Sequence, residues 1–402
     1  MTMLEPRSSE ELRRPRDPDP AFLERYRVAL IDWVACAVGG WPTATATRAR
    51  ELGSGLDDRL VALGTAGHVL DFDDTYAPGL SHVSAPIGPA VLVLGAERRL
   101  SLGAALLAFA RGWEASAAFS EANHPDMRAR GWHPTSVCGT VGAAVAAAAV
   151  LELSEVQEQH AIRLALLRAA GLRAAFGSDG KSLQVGFAAA AGVGAARLAS
   201  AGAQVSAAVA DGPAGFPDAY GASVALRGPR PAIELNWIKA YPCCLQTHSA
   251  IEAGIEASAA GVELALEPVT VLVHPVSLQA AALDAVANGL EAKFSIPYLT
   301  AFAYLHGAPG VSDFDRVDPD AAALARGITV VVDDSLQESE AVLLVGDEEV
   351  ARIKAALGSP WRPMSAEQLA GKASALAGEW LVEAGADLRR PVSELLEACA
   401  TT

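Results

Sequence analysis

Over roughly the first two hundred positions of the chain, apolar residues recur at helical spacing. Phe22–Val38 carries them around Asp32, while Gly88–Glu97 and Gly103–Phe119 are rich in Ala and Leu. Gly139–Leu153 is nearly all apolar, which predicts a helix buried on every side. Ser154–Ala175 and Val185–Ala201 continue the series, and Gly202 stands where the second would stop. Helices without a polar face pack in the centre of a multi-helix assembly or at a subunit interface. The pattern changes after Trp237: Val269–Val273, Ile328–Val332 and Ala341–Val345 are strand-like runs bounded by Pro268, Gly327 and Gly346. Ser365-Ala366-Glu367-Gln368 then has the form of a capping box and opens a helix running to Leu381. The chain therefore reads as mainly α. An all-helical domain formed by both chain ends (21–236 and 364–402) is interrupted by a smaller α+β unit (237–363) and preceded by an arm over residues 1–20.

Composition narrows the function classes. The formal net charge of −16 argues against a nucleic-acid partner, because phosphate binding needs a basic surface, so an anionic substrate requires a local cationic pocket. Five cysteines (Cys36, Cys138, Cys243, Cys244 and Cys399) without framework spacing point to a reducing compartment. The N-terminal stretch lacks the apolar segment of a secretory signal and reads as a disordered or loosely docked arm. The apolar run Val141–Leu151 is short of the roughly 20 residues that cross a bilayer, so a soluble cytoplasmic protein with no membrane partner is expected.

The chemistry-bearing residues cluster. Asp71-Phe72-Asp73-Asp74-Thr75 and His82 form a group too polar for an ordinary core. As Asp-x-Asp-x-Thr it matches a dehalogenase-type phosphatase loop, with Val332-Asp333-Asp334 imitating a later metal pair, but no apolar strand runs into Asp71 and Asp74 takes the usual Gly position. As Asp-x-Asp-Asp it matches a terpene-cyclase acid motif, in a chain poor in aromatics. The third reading is an acidic helix cap. His133 lies between Trp132 and Pro134 at the start of the apolar helix, where Thr135 is placed to satisfy free N–H groups and Arg128 and Arg130 add positive charge. Lys181 sits in Gly177-Ser178-Asp179-Gly180-Lys181-Ser182, read as a Gly-rich loop near the core. Ala175 stands where a phosphate-binding loop needs Gly. Lys239-Ala240-Tyr241-Pro242-Cys243-Cys244-Leu245-Gln246-Thr247-His248 supplies a second lysine and another histidine. Its cysteines lack zinc or iron–sulfur spacing and read as packing.

Taken in order, HVLDFDDT with His82, GWHPTSVCGTVGAA, GKSLQVGFAAAAGVGAARLA, KAYPCCLQTHSAIEA, AKFSIPYLTAF and GSPWRPMSAEQLAGK resemble the MmgE/PrpD family over roughly residues 22–385. That family includes 2-methylcitrate dehydratase, cis-aconitate decarboxylase and iminodisuccinate epimerase. The resemblance implies a helical domain with an α+β lid, a homodimer, and catalysis without metal or organic cofactor. It puts the active site, in the cleft between body and lid, on Asp71, Thr75, His82, His133, Lys181 and Lys239, with Arg130, Tyr241, Cys244 and His248 as substrate-binding candidates. Gln184, Phe187 and Ala191 stand where relatives often carry His and Arg, so the implied pocket is less cationic than one built for a tricarboxylate. The implied chemistry is proton abstraction alpha to a carboxylate or carbonyl. Lys181 and Lys239 would stabilise the enolate, His133 would act as base or acid, and His82, oriented by Asp71 and Thr75, would carry the second proton. Lid closure would bring Lys239 onto the substrate. The outcome is a lyase or isomerase: a 2-methylcitrate dehydratase-like hydro-lyase first, a decarboxylase, epimerase or cyclase on a less charged substrate second, a non-catalytic dimeric member third.

Overall fold

The Pro134–Val150 helix explains the architecture of the larger unit. It has no polar face, and it packs against the helices Ser84–Glu97, Leu102–Ala122, Glu155–Leu166 and Gly180–Ser200. The computed structural model describes Pro15 and residues 17–264 and 267–401, so most of the arm expected over 1–20 lies outside the described residues. The chain is mainly α with a small α+β part, and it divides into two compact units. The helical unit holds the segments up to Val69, from Asp73 to Asn236 and from Ala366 onward; the α+β unit holds Leu70–Phe72 and Trp237–Ser365.

Small residues let the helices of the first unit approach closely. A Cβ on Gly88 would lie 2.2 Å from the Trp33 ring, and one on Gly142 would lie 2.9 Å from the Gly112 carbonyl oxygen. Several element bounds differ from the periodicity reading. The fourth helix of the body begins at Ser84 rather than Gly88 and runs through Pro89, whose missing N–H removes one intrahelical bond. The Ser154–Ala175 run ends as a helix at Leu166, and Gly171, at φ 135°, turns the chain back. The next helix begins at Gly180, not Val185, so Lys181 belongs to its first turn rather than to a loop. Gly202, at φ 90°, follows its end as expected. At the C-terminus Gly378 separates Ala366–Ala377 from Glu379–Ala386, where one helix had been read.

The α+β unit is built on a four-stranded sheet. Val269–Val273 pairs in parallel with Ile328–Val332 and antiparallel with Ala341–Val345, which in turn pairs antiparallel with Glu348–Ile353. Val269, Val271 and Val273 alternate inward, onto a core with Ile251, Tyr298, Leu299 and Leu343. Among the described residues, no helix is long and apolar enough to cross a membrane.

Candidate active site

Three histidines meet inside the helical unit. His68 is on the last turn of the Leu56–Val69 helix, His82 precedes the Ser84–Glu97 helix, and His133 is the N-cap of Pro134–Val150. Pro134 occupies the first helical position, where a missing N–H loses nothing, and fixes the chain entry so that the His133 ring turns into the protein. The His68 ring lies 4.6 Å from that of His82 and 6.2 Å from that of His133, centroid to centroid.

Asp73 joins two of them. Its Oδ2 is 2.9 Å from His68 Nδ1 and 3.1 Å from His82 Nδ1, and its side chain is wholly buried. Burial alone would push this carboxyl up, but His68 and His82 reverse that and hold it well below the usual carboxylate range. The Thr75 hydroxyl lies 3.5 Å from the same His82 nitrogen. The His82 backbone N–H donates to the Thr135 hydroxyl at 3.0 Å, so Thr135 anchors the His82 segment rather than capping its own helix. Asp73, which sequence reasoning had not paired with His82, is thus one carboxylate placed to orient that ring.

His133 is held from a different side. The Gln184 amide nitrogen lies 2.8 Å from His133 Nδ1, and the amide oxygen accepts the Leu172 N–H at 2.8 Å. Burial drives the imidazole well below its ordinary pKa, and His68, Lys181, His82 and Arg128 push in the same direction. His133 is thus neutral at neutral pH. Phe176 packs edge-on to its ring at 5.0 Å, and the Lys181 ammonium lies 5.6 Å from the centre of Phe176. Lys181 is fixed by its helix start: the preceding Asp179 accepts from Thr45 at 2.6 Å and pairs with Arg48 at 2.7 Å.

Behind the cluster, Asp74 accepts from Ser84 (2.7 Å), Asn236 (2.8 Å) and Trp113 (3.4 Å). Burial lifts its pKa to about 7, with Asp73 and Asp32 adding to the rise and the Ser84 and Asn236 bonds opposing it. Arg130, expected in an anion pocket, is exposed and donates to the Tyr220 carbonyl at 3.0 Å.

The remaining candidates belong to the α+β unit. Lys239, 1 % exposed, pairs with Asp71: its ammonium lies 2.8 Å from Oδ1 and 2.9 Å from the backbone oxygen. Asp71 takes a left-handed backbone conformation (φ 55°), which the double grip of Lys239 holds in place. A second buried lysine, Lys293, donates to the Leu70 carbonyl. Tyr241 packs on His248 at 5.0 Å, the Cys244 N–H donates to the Lys293 carbonyl at 3.0 Å, and all five cysteines are free thiols. Sequence reasoning missed His68, Gln184 as a partner of His133, and Lys293. The available signal for His68 was its distance of five residues from Asp73 across a helix end.

The one His/Cys/Asp/Glu group among the described residues spaced to hold a metal ion is His68, Asp73 and His82, whose donor atoms lie within 4.8 Å of one another. The Nδ1–oxygen distances of 2.9 and 3.1 Å are those of N–H···O hydrogen bonds, which satisfy the carboxylate through two ring protons.

Residues 60–227 match the MmgE/PrpD N-terminal domain and residues 241–398 the MmgE/PrpD C-terminal domain. The chain is 35 % identical over 209 residues to cis-aconitate decarboxylase of Homo sapiens, covering 47 % of this chain and 42 % of that protein. It is 31 % identical over 207 residues to the Mus musculus protein of that name, covering 47 % and 41 %. The alignments thus span less than half the length of these curated relatives. With both domain models matched in order across most of its length, the chain belongs to the MmgE/PrpD family.

Proposed function

We propose that this protein is a lyase that removes a proton alpha to a carboxylate or carbonyl of a small organic acid, using side chains alone as acid and base. The observation that carries this reading is the histidine cluster: three neighbouring imidazole rings, two of them on a buried carboxylate, with a lysine at the adjoining helix start. A proton alpha to a carboxylate is weakly acidic. A base must be held ready, and the charge developing on oxygen must meet fixed donors in a site poor in water. His82 and His133 supply the proton-handling groups. Lys181 supplies the cation, and burial of His133 and Asp73 keeps the local dielectric low. The preferred outcome is loss of water from a hydroxy acid of the 2-methylcitrate kind, because two separate histidines suit removal of one proton and handling of a departing hydroxyl. Loss of carbon dioxide is the second reading, favoured by the likeness to two proteins named cis-aconitate decarboxylase.

The test is incubation of the protein with citrate, 2-methylcitrate and cis-aconitate in D₂O, followed by proton NMR. Dehydration, decarboxylation and deuterium incorporation at the alpha carbon give different spectra. Lys181→Met is expected to lower kcat/KM by roughly 10²–10³. Unchanged spectra for every acid would refute the reading.

A further inference from the structure

The two catalytic histidines have hydrogen-bond partners of opposite kind. At His82, Nδ1 faces the Asp73 carboxylate at 3.1 Å, and an ionised carboxylate only accepts. Nδ1 must carry a proton, so the neutral ring keeps its lone pair on Nε2. His68 makes the same bond to the same oxygen at 2.9 Å, and its Nε2 is buried without a hydrogen-bond partner, so its ring too carries its proton on Nδ1. At His133, Nδ1 faces a Gln184 amide group at 2.8 Å. Oxygen and nitrogen of an amide are told apart by their partners, and here the Gln184 oxygen is taken by the Leu172 N–H at 2.8 Å, which leaves the NH₂ toward His133. An NH₂ group only donates, so Nδ1 of His133 accepts and its single proton resides on Nε2.

We infer that the site holds His82 and His133 in opposite tautomers, with Asp73 and Gln184 as the positioning residues. His82 is then the base acting through Nε2, and His133 is a neutral Nε2–H donor to the oxygen that gains charge. The inference rests on the lyase reading above and assigns its roles. In the first step the substrate Cα–H bond breaks and an N–H bond forms at His82 Nε2. The electron pair moves onto the carbonyl or carboxylate oxygen, which receives the His133 hydrogen bond beside the Lys181 charge. The imidazolium formed at His82 stays paired with Asp73. His133 cannot take the same proton through Nδ1 without turning an N–H against the Gln184 NH₂. The depressed basicity of His133 agrees with this assignment.

The experiment is nitrogen-15 NMR of histidine-labelled protein without substrate, the eight histidines being assigned with His82→Gln and His133→Gln. The expected spectrum has Nε2 unprotonated in His82 and Nδ1 unprotonated in His133; one tautomer shared by both rings, or the reverse pair, overturns the inference. Gln184→Glu presents a carboxylate to His133 and is expected to move its proton to Nδ1 and lower kcat/KM by roughly 10²–10³. An unmoved tautomer with unchanged kcat/KM counts against the proposal. In D₂O, His82→Gln is expected to abolish exchange of the alpha proton and His133→Gln to slow it; the opposite pattern exchanges the roles and overturns them. Elemental analysis showing one metal ion per chain, lost in His68→Gln, would mean that a metal and not ring protons joins the three side chains. If wild-type protein acts on none of the acids, the roles fall together with the lyase reading, while the spectrum still decides the tautomers on its own.

Discussion

Asp74→Asn separates a buried carboxyl from its charge, and its effect on stability should depend on pH in a calculable way. The group is buried, its ordinary pKa is 3.8, and in the folded protein it rises to about 7. An acid whose folded pKa exceeds its unfolded value stabilises the fold most at low pH. That contribution is lost as pH climbs from the unfolded value to the folded one and changes no further above it. A rise of about 3 units at about 1.4 kcal/mol each gives about 4 kcal/mol in total, of which roughly 3 falls between pH 5 and pH 8. Asparagine cannot ionise, and its oxygen can keep the bonds from Ser84, Asn236 and Trp113. Its NH₂ takes the place of Oδ1, a buried atom without a hydrogen-bond partner, so the substitution carries a fixed penalty of about 1–3 kcal/mol. The readout is therefore the difference between pH values and not either value alone. Urea denaturation of both proteins at pH 5 and pH 8, followed by circular dichroism, should show wild type losing about 3 kcal/mol more than the variant on going to the higher pH. An equal pH dependence in the two proteins would refute the assignment of a perturbed carboxyl at Asp74.

Other consequences are as direct. Gly88→Ala drives a methyl group into the Trp33 ring, where only 2.2 Å separates the atoms, and should destabilise the helical unit by about 1–3 kcal/mol in urea titrations; a neutral effect would contradict the close crossing. Glu114 accepts from Tyr26 (2.7 Å), Ala232 N–H (2.9 Å) and Ile233 N–H (3.1 Å), so Glu114→Ala strands buried donors and should cost about 3 kcal/mol or more, measured the same way. Lys239→Met leaves the Asp71 carboxylate buried without its cation and should cost roughly 3–5 kcal/mol, whereas Asp71→Asn combined with Lys239→Met should recover much of it; additive losses in that double-mutant cycle would deny the coupling.

Much of the fold was legible because the strongest patterns belong to the most buried elements. Pro134–Val150 and the three strands from Val269 to Val345 are apolar runs whose type is set by Ala in one case and β-branching in the other. The strand Glu348–Ile353 was not, since Glu348, Glu349 and Arg352 face outward and hide its pattern. Lys181 was read as a loop residue because glycines flank it, yet a helix begins at Gly180 once Asp179 is held by Thr45 and Arg48 from a distant helix. The same limit applies at the site. His82, His133 and Lys181 were singled out from motif spacing, and the structure brings them together. The pairing of Asp73 with His68 and His82, and of Asp71 with Lys239, was not readable, because two acids only two residues apart give no sequence signal of which partner each meets. His68 sits in the buried part of its helix, and only its spacing of five residues from Asp73 across the helix end pointed to the contact.

The central claim, that this histidine cluster moves a proton at carbon, is tested most directly by the rate of solvent deuterium entry at the alpha position of the acid that wild-type protein turns over. Wild type should incorporate deuterium, and His82→Gln with its fold intact by circular dichroism should not. Incorporation at the wild-type rate in that variant would contradict the account.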